Sequence, residues 1–132
     1  MRILDLGSGE HPKLISNYLE IDVIACDSKP SPGVELEDME KLSYADNSFD
    51  IVLCINALDH TKDAISAVKE MQRVGISIYI NCALDQMTRH GMKHYWDAKE
   101  DGRLVNKTEE FDLKDFGFEI EFDDGRMIAW YR

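Results

Sequence analysis

The segment from Asp5 to Gly9 contains the first residues of the chain whose types and spacing could serve chemistry. It reads Asp-Leu-Gly-Ser-Gly and continues an apolar run that starts at Ile3. An apolar strand that runs into a Gly-x-Gly turn is how an α/β sheet makes room for a nucleotide-like ligand. The glycines allow backbone conformations and close approaches that other residues block, and Asp5 adds a fixed hydrogen-bond acceptor. Because Gly-x-Gly also occurs in ordinary tight turns, this motif needs support from elsewhere in the chain.

A second carboxylate has the spacing that such a site requires. Asp27 ends the apolar run 21–26, about twenty residues after the glycine turn, and is followed by Ser28. A carboxylate at this strand end can accept hydrogen bonds from both hydroxyls of a ribose. The same residue could instead cap a helix or lie in a solvated turn. Its role therefore depends on whether other segments of the chain also fit a nucleotide-type site.

These two elements, with the Asp38-Met39 pair ahead of the strand 49–56, resemble the class I S-adenosylmethionine-dependent methyltransferases. The resemblance runs from Ile3 to about Val74. In that family the Asp-x-Gly-x-Gly turn packs against the methionine part of the cofactor, the acid after the second strand holds the ribose, and the Asp-Met pair brackets the adenine. The resemblance implies that S-adenosyl-L-methionine, and its product S-adenosyl-L-homocysteine, contact Asp5, Gly7, Ser8, Gly9, Asp27, Ser28, Asp38, Met39 and Asn56.

Residues 56–60 resemble the segment that lines the methyl-transfer site in this family. The implied reaction is direct displacement at a sulfonium methyl, which needs no metal because the leaving group is neutral and already activated. The protein then has to align the reacting atoms and exclude water. A base matters only for a hydroxyl or protonated amine, and His60 is the candidate because it titrates near neutrality. His60 could equally cap or pack against the following helix, and His90 and His94 are weaker candidates.

Three features of the sequence qualify the resemblance. His11 and Pro12 stand where many members have a third glycine, so the first helix must begin abruptly, and His11 is expected to shape the turn. Gly75 alone stands where the family often has Pro-Gly-Gly, so the loop before the fifth strand is shortened. Asp38 belongs to an acidic run, residues 35–40, that could be no more than a solvated edge.

The elements that must position these residues alternate between strands and helices. Apolar runs predict strands at 3–6, 21–26, 34–36, 49–56 and 76–82, with helices at 12–19 and after Thr61. Thr61 could cap the helix that follows it. That helix carries Ile65, Val68 and Met71 at three-residue steps, a pattern that Val74 could continue. The repeated β-α-β order predicts parallel pairing with helices on both faces of the sheet.

The end of the chain predicts a β-hairpin. Residues 118–122 alternate strictly, 123–125 read Asp-Asp-Gly, and 127–131 return as a second apolar strand. We therefore expect one α/β domain over residues 1–132. Its fold would be a Rossmann-like, doubly wound αβα sandwich whose mostly parallel sheet ends in an antiparallel C-terminal hairpin.

Composition limits the classes of partner. The chain has 132 residues, 44% of them hydrophobic and 31% charged, which fits one domain with an ordinary core. The 26 acidic residues exceed the 15 Lys and Arg, giving a net charge of -11. Such a surface repels phosphate backbones and anionic lipid, which argues against nucleic acid as the substrate and leaves a small-molecule acceptor, or an accessible group on a protein.

The three cysteines and the absence of targeting signals suggest a reducing compartment. Cys26, Cys54 and Cys82 all fall at or within predicted central strands, so we expect buried thiols without disulfides and without a metal. No secretory signal is recognisable, and no apolar run approaches the roughly 20 residues of a membrane span. The expected location is the cytoplasm.

Residues 83–110 show no strong period but contain several aromatic and titratable side chains. Such a loop beside a strand's carboxyl end could be a substrate lid, or a structural wrap with a few core anchors. Larger members of the resembling family cover the cofactor with helices ahead of the first strand. We expect residues 84–100, a partner subunit or second copy of the chain, or both, to cover the site here.

Three functions compete at this point. The leading one is a small S-adenosylmethionine-dependent methyltransferase. The second is a non-catalytic module of the same fold that binds the cofactor as part of a larger assembly. The third is a nicotinamide-dependent oxidoreductase, which would need a small residue where Pro12 stands and room for a substrate domain after the fifth strand.

Overall fold

The computed structural model describes residues 1–8, 22–29, 31–91 and 94–132. Gly9, His11, Pro12 and the predicted helix over 12–19 lie outside the described residues. The described strands are β1 (Arg2–Leu6), β2 (Asp22–Asp27), β3 (Glu35–Leu36), β4 (Phe49–Ile55), β5 (Gly75–Ala83), β6 (Asp97–Ala98), β7 (Arg103–Val105), β8 (Glu110–Asp112), β9 (Glu119–Asp123) and β10 (Arg126–Tyr131). The described α-helices are α1 (Ala64–Val74) and α2 (Gln86–His90).

The main sheet has seven strands in the order β3-β2-β1-β4-β5-β10-β9. The pairings from β3 to β5 are parallel, whereas β10 pairs antiparallel with both β5 and β9. The chain leaves β1 toward β2 on one side and later returns to β4 on the other. This reversal between β1 and β4 is the switch point at which open α/β sheets bind ligands, at the strands' carboxyl ends. The Rossmann-like α/β prediction with an antiparallel C-terminal hairpin is confirmed.

Helix α1 packs on β4 and β5 through an apolar stripe. Its fully buried residues are Ala64, Ala67, Val68, Met71 and Val74. The predicted cap was wrong: the helix begins after Asp63, whose side chain accepts a hydrogen bond from the Ser66 amide at 3.0 Å. Thr61 lies too far upstream to cap, and its hydroxyl instead donates to Glu40 Oε2 at 2.6 Å.

Residues 84–112 form a second, smaller unit that the sequence did not indicate. Strands β6, β7 and β8 make a three-stranded antiparallel sheet, and α2 precedes it. Each of these strands has only two or three residues, which is too short for a hydrophobic period to be recognised. The sheet is joined to the main one by a parallel bridge between Leu84 and Ala98.

The C-terminal hairpin follows its prediction closely. Asp123 pairs with Arg126, which leaves Asp124 and Gly125 as a two-residue turn. Both turn residues have positive φ, 46° and 75°, as a type I′ turn requires. Because β10 runs antiparallel to β5, Arg126 lies opposite Ala83, at the same sheet edge as the carboxyl ends of the parallel strands.

The three cysteines lie in the core, on β2, β4 and β5, and all three thiols are free. Burial raises the pKa of the Cys26 thiol to about 12, with the charge of Glu37 adding to the shift. Burial likewise raises the pKa of Cys82 to about 12, and it raises that of Cys54. These thiols therefore stay protonated at neutral pH. Within the described part of the chain, none of the helices combines the length and apolar character needed to cross a bilayer.

Candidate functional site

The turn after β1 is packed directly against the segment after β4. Gly7 has a φ of 71°, and a Cβ added there would lie 2.4 Å from the Cβ of Ala57. The amides of Gly7 and Ser8 both donate to the Cys26 carbonyl, at 2.9 and 3.1 Å, which ties the turn to β2. The position therefore admits only glycine, and the turn keeps the switch point open to a ligand approaching the main chain.

The predicted ribose and adenine residues lie on two neighbouring segments of the same sheet edge. Asp27 is half-buried at the end of β2, and its Oδ1 accepts from the Lys29 amide at 3.2 Å and from the Ser28 hydroxyl at 3.4 Å. Asp38 is exposed, and its Oδ1 accepts from the Glu40 amide at 2.9 Å. Both carboxylates thus organise the turns that they begin.

Met39 brings the adenine-side segment to the glycine turn. Its methyl carbon, Cε, would lie 3.6 Å from a Cβ placed on Gly7. The segment is fastened to β2 by a hydrogen bond of 2.9 Å from the Glu37 amide to the Asp27 carbonyl. Asp5, which is only 5% exposed, lies on β1 just before the turn. Five of the predicted cofactor residues, Asp5, Gly7, Ser8, Asp27 and Met39, therefore meet at the β1–β2 edge.

Beside this edge, a cleft of about 340 Å³ opens at the carboxyl ends of β4 and β5. It is lined by Asn56, Asp59, His60, Ala83, Gln86, His94 and Arg126. The cleft adjoins the glycine turn, because Asn56 is the neighbour of Ala57. Two of the predicted site residues, Asn56 and His60, line it.

Three side chains at one end of the cleft form a compact group, the Asp59–His60–His94 cluster. Asp59 is 2% exposed, and its Oδ2 lies 2.7 Å from His94 Nδ1. The rings of His60 and His94 have centroids 4.2 Å apart and an interplanar angle of 41°. One ligand-type atom from each of the three side chains lies within 4.8 Å of the other two. His60 is exposed and lines the cleft, whereas Asp59 is buried and His94 is half-buried.

The cluster is held in place by the segment that contains His94. The Tyr95 amide donates to the Asp59 carbonyl at 2.7 Å, and the Trp96 indole donates to the Thr61 carbonyl at 2.9 Å. Trp96 itself is 1% exposed, and Asp97 binds the Thr88 amide at 2.8 Å. Residues 95–98 thus behave as the structural wrap with core anchors, one of the two interpretations of this region, while His94 supplies a polar group to the cleft.

The other end of the cleft is formed around Arg126. Its guanidinium donates to the side-chain oxygens of Asn81 and Asn56. Asn56 has a left-handed backbone, with a φ of 54°, and its amide donates to the Asn81 carbonyl at 2.8 Å. A half-buried cation therefore lines the cleft of an otherwise strongly acidic protein.

The sequence pointed to Asp59 only as part of the segment 56–60, and it did not single out Gln86 or Arg126 as site residues. The hairpin register could have indicated Arg126, because the residue after an Asp-Gly turn that pairs with β5 must lie at the carboxyl edge. No local signal links Asp59 to His94, which are 35 positions apart.

The geometry is accompanied by a family match. The family model described as a methyltransferase domain matches residues 4–77, which is more than half of the chain. The chain belongs to the methyltransferase domain family. This confirms the predicted resemblance to the class I methyltransferases. No curated protein sequence gives a significant match to the chain.

Several solved structures resemble this chain over nearly its whole length. A SAM-dependent methyltransferase from Aquifex aeolicus is 16% identical, with a TM-score of 0.63, 98% of this chain covered and 80% of the other. The N-terminal domain of EvdMO1 with SAH bound is 16% identical, with a TM-score of 0.64 and coverages of 100% and 74%. A complex between the Haloferax volcanii Trm112 methyltransferase activator and a methyltransferase gives 11% identity, a TM-score of 0.62 and coverages of 98% and 80%.

The matched structures also differ in size from this methyltransferase domain. Four further structures are longer, and the chain spans only 38% to 44% of their length. At 11% to 23% identity these likenesses establish the fold. They do not identify which residues of this chain would bind a cofactor or an acceptor.

Proposed function

We propose that this chain transfers the sulfonium methyl of S-adenosylmethionine to a heteroatom of a small molecule held in the cleft of Asn56, Asp59, His60, Gln86, His94 and Arg126. The observation that carries the proposal is the direct contact between the glycine turn and the segment 56–60. Gly7 meets Ala57 at the switch point, and the next residues along that segment line the cleft. A cofactor at the turn would thus present its methyl group toward the cleft.

At the cofactor end, each proposed contact follows from charge and position. The half-buried carboxylate of Asp27 would accept hydrogen bonds from the ribose hydroxyls, with Ser28 beside it. Asp38 and Met39 would lie on either side of the adenine, and Asp5, Gly7 and Ser8 would contact the methionine part. The motif implies the same contact for Gly9, which lies outside the described residues. Asn56 would lie at the junction with the acceptor.

At the acceptor end, the cleft volume of about 340 Å³ suits a small molecule, since small-molecule pockets start at about 300 Å³. His60, with Asp59 and His94, is proposed to activate the acceptor atom by favouring its deprotonated form. Displacement then forms a bond between the acceptor and the methyl carbon, breaks the carbon–sulfur bond, and leaves neutral S-adenosylhomocysteine. The net charge of -11 argues against nucleic acid as the acceptor.

A non-catalytic module in a larger assembly is the second candidate. The cleft is open, and one of the structural relatives is a methyltransferase bound to an activator protein. A partner subunit or a second copy of the chain could cover the site in the same way.

Protonated, buried thiols agree with a reducing location such as the cytoplasm.

Calorimetric titration with S-adenosylhomocysteine tests the cofactor site. Wild type should bind with micromolar affinity, and NAD should not bind. Asp27→Asn should weaken binding about tenfold to a hundredfold, which corresponds to losing a charge-assisted hydrogen bond of roughly 1.5 to 3 kcal/mol. Asp22→Asn is the matched control, because Asp22 is an exposed acid at the opposite end of the same strand. Equal losses in both variants, or no binding by wild type, would remove the proposed site.

A further inference from the structure

The Asp59–His60–His94 cluster has the composition of a metal site rather than that of a simple base. It combines two imidazoles with one carboxylate, and the three groups converge from two distant segments of the chain. Asp59 is almost fully buried and its Oδ2 lies 2.7 Å from His94 Nδ1, so two ligand-type groups already meet at the enclosed end of the cleft. We propose that this cluster binds one divalent transition-metal ion, with the open side of the ion facing the acceptor in the cleft.

The distances fit a site that closes on its ion. Two ligands bound to one ion with bonds of about 2.1 Å lie roughly 3 to 4 Å apart. Asp59 Oδ2 and His94 Nδ1 are 2.7 Å apart in a hydrogen bond, which an ion would replace while widening the pair to roughly 3 Å. The widest separation in the group is no more than 4.8 Å, and His60 is its exposed member. The other two ligands are fixed by the hydrogen bonds of residues 95 and 96.

The ligand types select the class of ion. Imidazole nitrogen with a single carboxylate suits Zn²⁺, Mn²⁺, Fe²⁺ or Co²⁺, whereas Mg²⁺ and Ca²⁺ prefer sites built wholly from oxygen. Three protein ligands also leave coordination positions for a substrate, as in catalytic zinc sites. Arg126 is a like charge in the same cleft, and its guanidinium is bonded to Asn56 and Asn81. The cluster therefore has to hold the ion through direct ligation, because the cleft as a whole is not strongly negative.

The chemistry deepens the proposed methyl transfer and rests on it. A hydroxyl of the acceptor that binds the ion loses its proton to water in the open cleft, because a bound cation lowers the pKa of a coordinated hydroxyl. The resulting oxygen forms its bond to the methyl carbon as the carbon–sulfur bond breaks. The products are the methyl ether, S-adenosylhomocysteine and one proton. This assignment favours an oxygen acceptor over an amine.

Metal binding is measured without turnover. Purified chain, stripped with a chelator, is titrated with Co²⁺ while its visible absorption is followed, and then with Zn²⁺ by calorimetry. We expect one ion per chain, a visible cobalt spectrum, and a rise in melting temperature with either ion. His60→Ala and Asp59→Asn should each weaken binding at least tenfold to a hundredfold, the loss that even outer contacts of metal sites produce. Mg²⁺ should not compete.

His90→Ala is the matched control for the histidines. His90 is exposed at the end of α2, and its ring lies 6.2 Å from that of His94 without joining the cluster. It should bind metal as wild type does. Because Asp59→Asn changes a buried group and could disturb folding, the exposed His60→Ala decides the result. Absence of saturable binding in wild type, or equal binding in wild type and His60→Ala, would overturn the metal site.

The same protein separates this inference from the proposed function. S-adenosylhomocysteine is titrated into metal-free chain in parallel. Binding of that ligand without metal binding would leave the methyltransferase proposal standing and assign the cluster to base catalysis. Metal binding without S-adenosylhomocysteine binding would leave the metal site standing and remove the cofactor site.

Discussion

Two segments flank the carboxyl edge of the sheet, and they are held in different ways. Residues 37–48, on the cofactor side, are fastened to helix α1 by charged groups. Arg73 donates to the carbonyls of Tyr44 and Leu42, at 2.7 and 3.0 Å, and Glu70 accepts from the Leu42 amide at 2.9 Å. Residues 94–98, on the acceptor side, are instead fastened by a buried indole. The proposed cofactor side is thus held mainly by hydrogen bonds of charged side chains, and the proposed acceptor side by a buried aromatic residue and its hydrogen bonds.

This difference matches what each side has to do. A segment that carries only Asp38 and Met39 toward a cofactor can be held by a few directed bonds, which leave it able to adjust. A segment that supplies His94 to a cluster with a buried carboxylate must keep its position whether or not a ligand is present. The acceptor side is therefore expected to be the more rigid of the two, and the following substitutions test that order.

Trp96→Ala should have the largest effect, because it empties the anchor of the acceptor side. The side chain is 1% exposed and meets Phe111 edge-to-face with centroids 5.2 Å apart, and its single indole N–H is shared between the carbonyls of Thr61 and Lys62. Removal of a buried aromatic residue costs about 3 to 5 kcal/mol. Urea denaturation should show a loss of this size in the free energy of unfolding.

Trp130→Ala supplies the control, since the chain has two tryptophans and Trp130 is 44% exposed. Its loss, mainly of contact with Tyr79, should cost about 1 kcal/mol. If Trp96→Ala proves too unstable to measure, Trp96→Phe retains the ring and loses only the indole bonds. Similar costs for the two alanine variants would contradict the view that core packing holds the acceptor side.

Gly7→Ala should have the next effect, at the contact between the two sides. The added Cβ would lie 2.4 Å from that of Ala57, and φ is 71°, so the strain should be about 2 to 3 kcal/mol, near the upper end for such positions. Both the free energy of unfolding and S-adenosylhomocysteine binding should fall, the latter beyond detection. Gly125→Ala has a similar φ of 75° but nothing within 4 Å, so it isolates the backbone cost. Wild-type ligand affinity in Gly7→Ala would place the cofactor elsewhere.

The two sides also differ in how much of each could be predicted from the sequence. The strands of the main sheet and the hairpin were predictable because each signal is local, either an apolar run or a turn sequence. The residues from Asp5 to Met39 were selected as site candidates by equally local signals, a glycine turn and an acid at a strand end, whereas β6 to β8 are too short to show such a signal. The acceptor side was not predictable, since its contacts join positions 35 apart, such as Asp59 with His94 and Thr61 with Trp96. His60 was singled out by its place after β4. Asp59 was named only within the segment 56–60 and His94 only as a weaker candidate, and their contact became visible only when the chain was folded.

Glu70→Gln should have the smallest effect and tests the polar attachment of the cofactor side. Hydrogen bonding from Arg73 holds the pKa of Glu70 below its usual range. A depressed pKa stabilises the fold above the unfolded-state value, about 4.3, and that contribution disappears as the pH falls through the lower folded-state pKa. We expect a loss of about 1 kcal/mol at neutral pH, at the low end because the pair is partly exposed to solvent.

The pH dependence of this small effect is its most specific feature. In urea denaturation from pH 7 to pH 3, the difference between wild type and Glu70→Gln should shrink below about pH 4, as the wild-type carboxylate is protonated. Glu121→Gln, at an exposed position on β9, should show little difference at any pH. A difference that stays constant to pH 3 would mean that the carboxylate charge does not hold residues 37–48. Residues 37–48 would then be held by the hydrogen bonds that Arg73 donates to the carbonyls of Tyr44 and Leu42.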